Sequence, residues 1–394
     1  MSEIKRVQLS EIAELITKGT TPTTLGYDFQ DEGVNFLKIE CFDEYGNYIE
    51  NKVAHISNEC NAKLKRSQLK QGDILFSIAG AIGRVAIVKE EMLPANTNQA
   101  LAIIRINNEN VYLPYIKLLL TSPIVKKQFE KKKQGVAQLN ISLTDINELK
   151  IPLPNKEKQM ELAGLFTKIT NLIDLRKQQL SALDDLIKAR FVEMFGNPIR
   201  NEKGWDKLSV EKVCKEIFGG GTPSKSHPEY YENGNIPWVS SKDMKSDVIA
   251  DSQIYINQIG IDNSTARMVP VNSVIMVIRS GILKHTLPVA INVVPITVNQ
   301  DLKVFVPNEK ILTRFMAIQF KMQESDILSG VRAVTADNIE FDSLKQREMI
   351  VPCRDLQQEY VNFVSQIDKI KETVNKSLDK TKTLFDSLMQ QYFG

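Results

Sequence analysis

The sequence predicts an α/β (α+β) fold, in which two repeated mixed α/β domains are separated by a long antiparallel two-helix coiled coil with pseudo-two-fold symmetry. Three observations support this prediction. The two halves of the chain end alike, at Phe195-Gly196 and at Phe393-Gly394, which are 198 positions apart. A long heptad-patterned segment precedes each Phe-Gly pair. Short apolar runs rich in β-branched residues, which are typical of strands, fill most of the remainder of each half.

The duplication extends through most of both halves. The offset between matching residues is 201 near the start of each half, 195 at one Gly-Val pair and 198 in the heptad segments, so one loop changes length. Matching pairs in chain order are Pro22 with Pro223, Gly33 with Gly234, Asn98-Gln99 with Asn299-Gln300, Gly135-Val136 with Gly330-Val331, Pro154 with Pro352, Gln159 with Gln357 and Leu180 with Leu378. A period near 200 residues indicates a duplicated domain and not a solenoid repeat.

The repeat gives the expected boundaries. We predict a first domain at residues 1–154, a first long helix at 155–196, a second domain at 197–352 and a second long helix at 353–394. Strand-like runs in the first half include VNFLKIE, GDILFSI, RVAIVKE and QALAIIRI, and those in the second include NIPWVSS, NSVIMVIRS, LPVAINV and QDLKVFVP. One shorter helix is expected in each half, at about 113–133 and 309–328.

The heptad segments predict a coiled coil. Apolar residues recur in alternating steps of four and three, and the average spacing of 3.5 is that of a coiled-coil seam. The apolar seam positions are Leu162, Phe166, Ile169, Ile173, Leu180, Leu183, Ile187 and Met194 in the first helix, and Tyr360, Val364, Ile367, Val374, Leu378, Phe385, Leu388 and Tyr392 in the second. Polar residues interrupt the seam at Arg176, Arg190, Lys371 and Thr381 and would fix its register. The alternative is that each helix packs only on its own globular domain.

Connectivity predicts the direction of the helices. The first helix leads from the first domain into the second, so the second helix must run back to pair with it. Gly394 should then lie beside the first domain and near Met1. Helices of about 35–40 residues are ~50–60 Å long and would act as spacers between the domains.

Composition sets bounds on the class of protein. A chain of 394 residues with 42% hydrophobic and 25% charged residues is an ordinary globular sequence of roughly two or three domains. No apolar run approaches the ~20 residues of a membrane helix and no secretory signal is present, so a cytoplasmic protein is expected. Four cysteines without a CxxC pair and three histidines argue against zinc. The net charge of +2 is weak evidence for nucleic-acid binding, although a basic face can be local.

Motifs of common enzymes are missing from the sequence. It contains neither a G-x-x-x-x-G-K-[ST] phosphate loop nor an H-E-x-x-H zinc motif. The pair Gly80 and Gly83 precedes a strand-like run and not a helix, which favours a tight turn over a dinucleotide site. We therefore expect no catalytic, cofactor-binding or metal-binding residues in this chain.

The order of motifs GTTP, GDILFS, NQ, P-x-P, long helix and FG, which occurs twice in related form, resembles the specificity subunit of type I restriction-modification systems. The resemblance covers essentially the whole chain. It implies two target-recognition domains that each read half of a split double-stranded DNA sequence. It also implies partners: two methyltransferase (modification) subunits and restriction (translocase) subunits, which would hold S-adenosylmethionine, ATP and Mg²⁺. The halves differ at Phe36-Leu37, where the second has Pro237-Trp238, and the first lacks a counterpart of Trp205.

Candidate DNA contacts follow from side-chain chemistry, since Arg and Lys suit guanine or phosphate, Asn and Gln suit adenine, and Ser and Thr suit either. In the first half we select Lys18, Thr20, Thr21, Thr23, Lys38, Arg84, Asn98, Gln99, Lys131 and Lys132. In the second half we select Thr222, Ser224, Lys225, Ser240, Ser241, Lys242, Arg279, Lys284 and Arg332. Each could instead be an ordinary solvated residue. The Asn-Gln pairs, being the same in both halves, could instead satisfy buried strand ends.

Two other functions stay open at this point. A self-contained DNA methyltransferase or nuclease would need a cofactor or metal motif that the sequence does not show. A coiled-coil scaffold that never touches DNA would need only the helices, and the salt dependence of duplex binding would separate it from a DNA reader.

Overall fold

The structure, a computed structural model, describes residues 6–131, 141–330, 332–333 and 337–394. Internal contacts divide the chain into two compact units. Unit 1 comprises Met1–Lys177 and Asn375–Gly394, and unit 2 comprises Gln178–Val374. The division cuts both long helices, so each unit contains a part of each. The domain boundaries predicted from the repeat remain predictions.

The first half of the chain contains six helices and nine strands among its described residues. The helices are α1 (Leu9–Ile12), α2 (Asn58–Lys63), α3 (Leu113–Leu120), α4 (Pro123–Lys131), α5 (Leu143–Asn147) and α6 (Lys156–Phe195). The strands are β1 (Arg6–Gln8), β2 (Leu15–Lys18), β3 (Val34–Leu37), β4 (Ala54–Ile56), β5 (Ile74–Ser77), β6 (Val85–Ile87), β7 (Ala95–Thr97), β8 (Leu101–Arg105) and β9 (Lys150–Pro152).

The second half contains a further six helices and thirteen strands among its described residues. The helices are α7 (Val210–Val213), α8 (Gln258–Asp262), α9 (Thr313–Met322), α10 (Glu324–Ser329), α11 (Phe341–Gln346) and α12 (Arg354–Phe393). The strands are β10 (Lys207–Ser209), β11 (Cys214–Gly219), β12 (Ile236–Val239), β13 (Val248–Ile249), β14 (Tyr255–Ile256), β15 (Met268–Val269), β16 (Val274–Val277), β17 (Val289–Asn292), β18 (Ile296–Val298), β19 (Leu302–Pro307), β20 (Arg332–Ala333), β21 (Asp337–Asn338) and β22 (Glu348–Ile350).

Unit 1 is built on one antiparallel sheet and one smaller mixed sheet, whereas both main sheets of unit 2 are mixed, since β13 pairs with β17 in parallel. In unit 1 the sheets have the strand orders β2-β8-β5-β6 and β4-β3-β7. In unit 2 they are β11-β19-β16-β17-β13 and β14-β12-β18-β15. The central strands β5 and β16 are buried at every residue, which explains why they read as continuous apolar runs. The mixed α/β class predicted from the sequence is confirmed.

The long helices pair in opposite directions within each unit. In unit 1, Phe393 at the end of α12 packs 5.8 Å from Phe166 near the start of α6. In unit 2, Phe195 at the end of α6 packs 5.6 Å from Tyr360 near the start of α12. The start of each helix therefore meets the end of the other, and the predicted antiparallel pairing is confirmed. Met1 lies outside the described residues, so its predicted proximity to Gly394 stays a prediction.

The buried stripe departs from the predicted seam at the ends of the helices. Tyr392, a predicted seam residue, is 39% exposed, whereas Phe393 beside it is 2% exposed. Met194 is only partly buried, while Phe191 and Phe195 are fully buried. An α-helix drifts by about 20° per heptad from a strict 3.5-residue repeat, so the buried stripe moves by one position. The last residues also pack on globular elements, such as Phe195 on Phe315 of α9, and not only on the other helix.

A buried glutamine fixes the start of each long helix to its own domain. Gln159 accepts a hydrogen bond from the Tyr112 N–H and donates to two backbone carbonyls, those of Asn110 and Pro154. The repeat-related Gln357 makes the same three bonds, to the Leu312 N–H and to the carbonyls of Lys310 and Pro352. Both side chains are fully buried, so every polar atom of the amide must have a partner.

The shorter helices differ from the prediction in one respect. Each expected single helix is two helices, α3 with α4 and α9 with α10. In the first half Pro123 begins the second helix, because proline cannot donate the backbone bond that a continuous helix needs there. Among the described helices, none has the length and apolar character that crossing a bilayer requires.

Candidate nucleic-acid interface

Both units hold the same glycine loop against the same turn. The loop after β2 approaches the end of β7 so closely that a Cβ on Gly19 would lie 1.9 Å from the Thr97 carbonyl oxygen. In unit 2 a Cβ on Gly220 would lie 1.9 Å from the Val298 carbonyl oxygen, at the end of β18. Only glycine permits this approach, which explains the Gly-rich motif in each half.

A threonine and a glutamine brace each loop. The Thr21 hydroxyl donates to the side-chain carbonyl of Gln99, and the Thr222 hydroxyl donates to that of Gln300. The partners are 78 positions apart in both halves. Three of the selected candidates, Thr21, Gln99 and Thr222, are thus engaged in these bonds. We interpret the Thr-Gln pair and the glycine contact as a structural frame that holds the loop in the same position in both units. Domains that read different bases would need different residues at the base contacts, whereas these residues are the same.

The asparagines of the Asn-Gln pairs also serve the local backbone. The Asn98 side-chain oxygen accepts from the Ala100 N–H at 3.1 Å. Asn299 is buried, accepts from the Asp301 N–H and donates to the Asp301 carboxylate. The Asp301 carboxylate in turn accepts a hydrogen bond from the Arg279 guanidinium at 2.7 Å. This candidate arginine therefore already has an anionic partner.

The remaining candidates of unit 1 fall into two groups. Lys18 and Thr23 are exposed on either side of the glycine loop, and Thr20 between them is half-buried. Arg84 is directed inward and donates to the backbone carbonyls of Ile39 and Phe42. Lys38 is half-buried with its ammonium 4.4 Å from the centre of the Phe29 ring. Lys18 and Thr23 are therefore open to solvent, whereas Arg84 and Lys38 have contacts within the unit.

In unit 2 the exposed candidates follow the glycine loop in the same way. Ser224 and Lys225 are exposed, and the hydroxyl of Ser224 lies 2.7 Å from that of Ser226. Ser240 binds the Asp243 carboxylate and so closes a local turn. Lys284 is exposed. Lys132 lies outside the described residues, as do the side chains of Lys131 and Arg332.

Two lysines that the sequence argument did not select join Ser241 and Lys242 at an open cleft in unit 2. Lys188 of α6 and Lys245, three positions after Lys242, are exposed and line the same space. The spacing of Lys242 and Lys245 was visible in the sequence, but the proximity of Lys188 depends on how α6 packs in this unit.

Charged groups beside this cleft are paired. Asp247 lies against Lys321, and Arg314 donates to Asp368 at 2.9 Å. Partial burial tends to raise the pKa of Asp247, but the nearby Lys321 and Arg314 outweigh it and hold that pKa below its usual value. Asp247 is thus an anion that its cationic neighbours stabilise.

Burial raises the thiol pKa of three of the four cysteines, and the described residues contain no cluster of metal ligands. No three His, Cys, Asp or Glu side chains within the described ranges are arranged to hold a metal ion. Burial raises the pKa of Cys41 and Cys60 and raises that of Cys214 to about 12, which disfavours the thiolate. The chemistry available at the glycine loops is hydrogen bonding and positive charge.

Comparison with known proteins identifies the family. The sequence profile described as "Type I restriction modification DNA specificity domain" matches residues 1–184 and 202–380. The chain is 28% identical over 255 residues to the EcoR124I/EcoR124II specificity subunit of Escherichia coli, over 64% of this chain and 63% of that protein, which is less than two thirds of its length. It is 24% identical over 410 residues to the MjaIX specificity subunit of Methanocaldococcus jannaschii, over 98% of this chain and 91% of that protein.

Solved structures share the fold. A chain from a study of "complex assembly" and "conformational transition of the type I R-M system" superposes with a TM-score of 0.60 at 17% identity, covering 99% of this chain and 97% of that one. The S subunit of a type I restriction-modification system from M. genitalium gives 0.54 at 13% identity, covering 100% and 97%. These similarities agree with the repeated α/β architecture.

Proposed function

The chain belongs to the type I restriction modification DNA specificity family, and we propose that it is the non-catalytic subunit that reads a bipartite DNA sequence for a restriction-modification complex. Each unit would read one half-site through the residues that follow its glycine loop. Methylation and cleavage would occur in partner subunits.

One observation within the structure supports a reader role most directly. Both units hold the glycine loop in the same frame, with the Thr-Gln pair and the glycine contact repeated. The exposed residues that follow this frame differ, with Thr23 and Thr24 in unit 1 and Ser224 and Lys225 in unit 2. A constant frame that presents different hydrogen-bonding side chains suits two domains of one origin that recognise different bases.

The partners follow from the same proposal. The duplicated helices offer two similar surfaces, which suits two copies of a methyltransferase subunit, and restriction subunits would join that core. These partners would bind S-adenosylmethionine, ATP and Mg²⁺, and this chain would bind no cofactor. The complex would act on double-stranded DNA in the cytoplasm.

Domain exchange tests the proposal. Residues of about 1–150 are replaced by the same segment of a relative with a different target, and methylated adenines are mapped in cells that carry this chain and its methyltransferase. One half of the recognised sequence should change and the other half should stay. A chimera with residues of about 197–350 exchanged is the matched control and should change the opposite half.

Three outcomes would contradict the proposal. Both half-sites could change together in either chimera. The purified chain could methylate DNA alone, which would make it an enzyme. The complex could bind specific and random duplexes equally at every salt concentration, which would leave only phosphate contacts.

A further inference from the structure

A lysine lies beside the glycine loop in both units, but the two units supply it from opposite strands. In unit 1, Lys18 ends β2 and faces Ala102 of β8. In unit 2, Gly219 ends β11 and faces Lys303 of β19. The offset of 201 that relates the two glycine loops also relates these positions on each strand. The two cross-strand pairs therefore correspond, with the lysine exchanged between the strands.

The geometry of the sheet keeps the lysine in a similar place after this exchange. Directly opposite residues of an antiparallel pair project from the same face of the sheet. The Lys303 ammonium also reaches over the neighbouring strand, since a Cβ on Gly219 would lie only 2.5 Å from its Nζ. Gly219 has no side chain of its own, so the ammonium occupies the space beside it. Each unit thus has a positive charge on one face of the sheet, next to its glycine loop.

The Lys303 ammonium has cations and no anion as charged neighbours. It is half-buried, and no carboxylate of the described residues pairs with it. Partial burial lowers the pKa of Lys303, and the nearby positive charges of Lys345 and Arg279 lower it further. Those two neighbours each have a carboxylate partner, at 3.1 Å and 2.6 Å respectively. Lys303 is therefore the member of this cluster whose charge is left uncompensated.

An aromatic ring compensates the charge only in part. The Lys303 ammonium lies 4.5 Å from the centre of the Phe341 ring at the start of α11, and the Lys345 ammonium lies 4.4 Å from the same centre. The ring attracts both cations, but it also holds two like charges close together. Desolvating a charge without a counter-ion costs free energy. A bound anion would supply that counter-ion, so the cluster favours an anionic ligand.

The recurrence of the lysine indicates which part of DNA it contacts. Phosphate contacts position a duplex and are independent of sequence, whereas base contacts carry the sequence information. Two domains that read different half-sites would need different residues at base contacts. The positive charge beside the glycine loop is present in both units, although the exposed residues that follow the loop differ. A contact to the backbone phosphate explains why the charge is common to both units.

We propose that Lys303 binds a phosphate group of the DNA backbone and so positions the duplex against the glycine loop of unit 2, as Lys18 does from the opposite strand in unit 1. This inference rests on the proposed function and adds a contact residue that the sequence argument did not select. Lys345 and Arg279 add to the positive potential at this phosphate site.

Moving the charge between the strands of the full chain tests this proposal. Lys303→Met removes the ammonium and keeps an apolar stem. The double variant Lys303→Ala with Gly219→Lys reproduces the lysine and alanine of unit 1. The three atoms nearest to a Cβ on Gly219 all belong to the Lys303 side chain, so its removal makes room. Gly219 is not among the glycines with positive φ, and its backbone therefore accepts a side chain. The control is Lys215→Ala, an exposed lysine of the same strand.

Fluorescence anisotropy over a sodium chloride series measures binding to a labelled duplex of random sequence. Lys303→Met should weaken binding roughly fivefold at low salt and reduce the slope of log binding constant against log salt concentration by about 1. The double variant should restore both quantities, and the control should match the wild type. Urea unfolding followed by tryptophan fluorescence should show no loss of stability in Lys303→Met, because the variant removes a partly desolvated charge.

Four results would overturn this inference and leave the proposed function standing. Lys303→Met could keep the salt slope of the wild type, or the double variant could fail to restore it. A lower urea midpoint for Lys303→Met would give the ammonium a structural role. A change in the methylated sites of cells that carry Lys303→Met would make the lysine a base contact.

A last arm separates backbone phosphate from free phosphate. Sodium phosphate should displace the duplex no better than sodium chloride of equal ionic strength. Stronger displacement that Lys303→Met abolishes would assign the site to free phosphate and overturn the inference. A wild-type chain that binds no duplex would contradict the proposed function and this inference together.

Discussion

Units 1 and 2 share buried polar contacts to the backbone but differ in a charged contact between side chains. The glutamine at the start of each long helix makes the same three backbone bonds in both units. By contrast, unit 1 buries an ion pair in which Arg105 binds Asp73 through two bonds of 2.7 Å. At the position 200 residues later unit 2 has Ser273, whose hydroxyl donates to the Pro270 carbonyl.

This difference indicates which features duplication preserves. A side chain that binds the backbone keeps its partner when neighbouring side chains change, because every residue supplies the same N–H and C=O groups. A side chain that binds another side chain must change together with it. The Arg105-Asp73 pair could therefore be present in one unit and absent from the other, while the backbone bonds of Gln159 and Gln357 were retained.

The largest expected effect concerns the aromatic end of each long helix. Phe195 is fully buried in unit 2 against four rings, whereas Phe393 contacts two in unit 1. A Phe→Ala substitution in a core lowers the free energy of unfolding by about 3–5 kcal/mol. Phe195→Ala should lie at the upper end of that range and Phe393→Ala at the lower end.

The measurement can report on unit 2 alone, because both tryptophans of the chain, Trp205 and Trp238, belong to it. Urea unfolding followed by tryptophan fluorescence and by circular dichroism gives the two costs. Val192→Ala and Tyr392→Ala, at exposed neighbouring positions, are the controls. A larger loss for Phe393→Ala would reverse the expected order of the units.

The ion pair of unit 1 should give the next largest loss of stability. The Asp73 side chain is 1% exposed and that of Arg105 is 16% exposed. Asp73→Ala leaves the guanidinium without its anion and should cost about 3–5 kcal/mol. Ser273→Ala removes one neutral hydrogen bond and should cost about 1 kcal/mol. Circular dichroism during urea unfolding measures both, and equal costs would mean that the two positions are energetically equivalent.

Acid should reveal the charge network of unit 2. Because the pKa of Asp247 is lowered in the folded state, its ionised carboxylate stabilises the fold. This contribution is fully present above the ordinary aspartate pKa of about 4 and is lost as the pH falls through the lowered value. The stability difference between the wild type and Asp247→Asn should therefore shrink on acidification. Tryptophan-detected urea unfolding at neutral and acidic pH measures it, with exposed Asp355→Asn as control. A constant difference would show that charge is not the cause.

The smallest effect is expected at the glycine loops. If Lys225 contacts a phosphate, Lys225→Ala should weaken binding to all duplex sequences alike. It should also reduce the slope of log binding constant against log salt concentration by about 1. Lys18→Ala should do the same for the half-site of unit 1. Fluorescence anisotropy over a salt series measures the slopes, with exposed Lys212→Ala as control. An altered sequence preference would instead identify Lys225 as a base contact.

The amino-acid sequence by itself determined the duplication, the two long antiparallel helices and the main strands. These depend on local periodicity and on matches along the chain, which need no knowledge of distant contacts. The tertiary structure alone decided which candidate side chains are engaged internally. Arg84 binds backbone more than 40 positions away, and Thr21 meets Gln99 across 78. It also decided that Lys188 of α6 lies beside Lys242 and Lys245, because such proximity depends on long-range packing that no local pattern records.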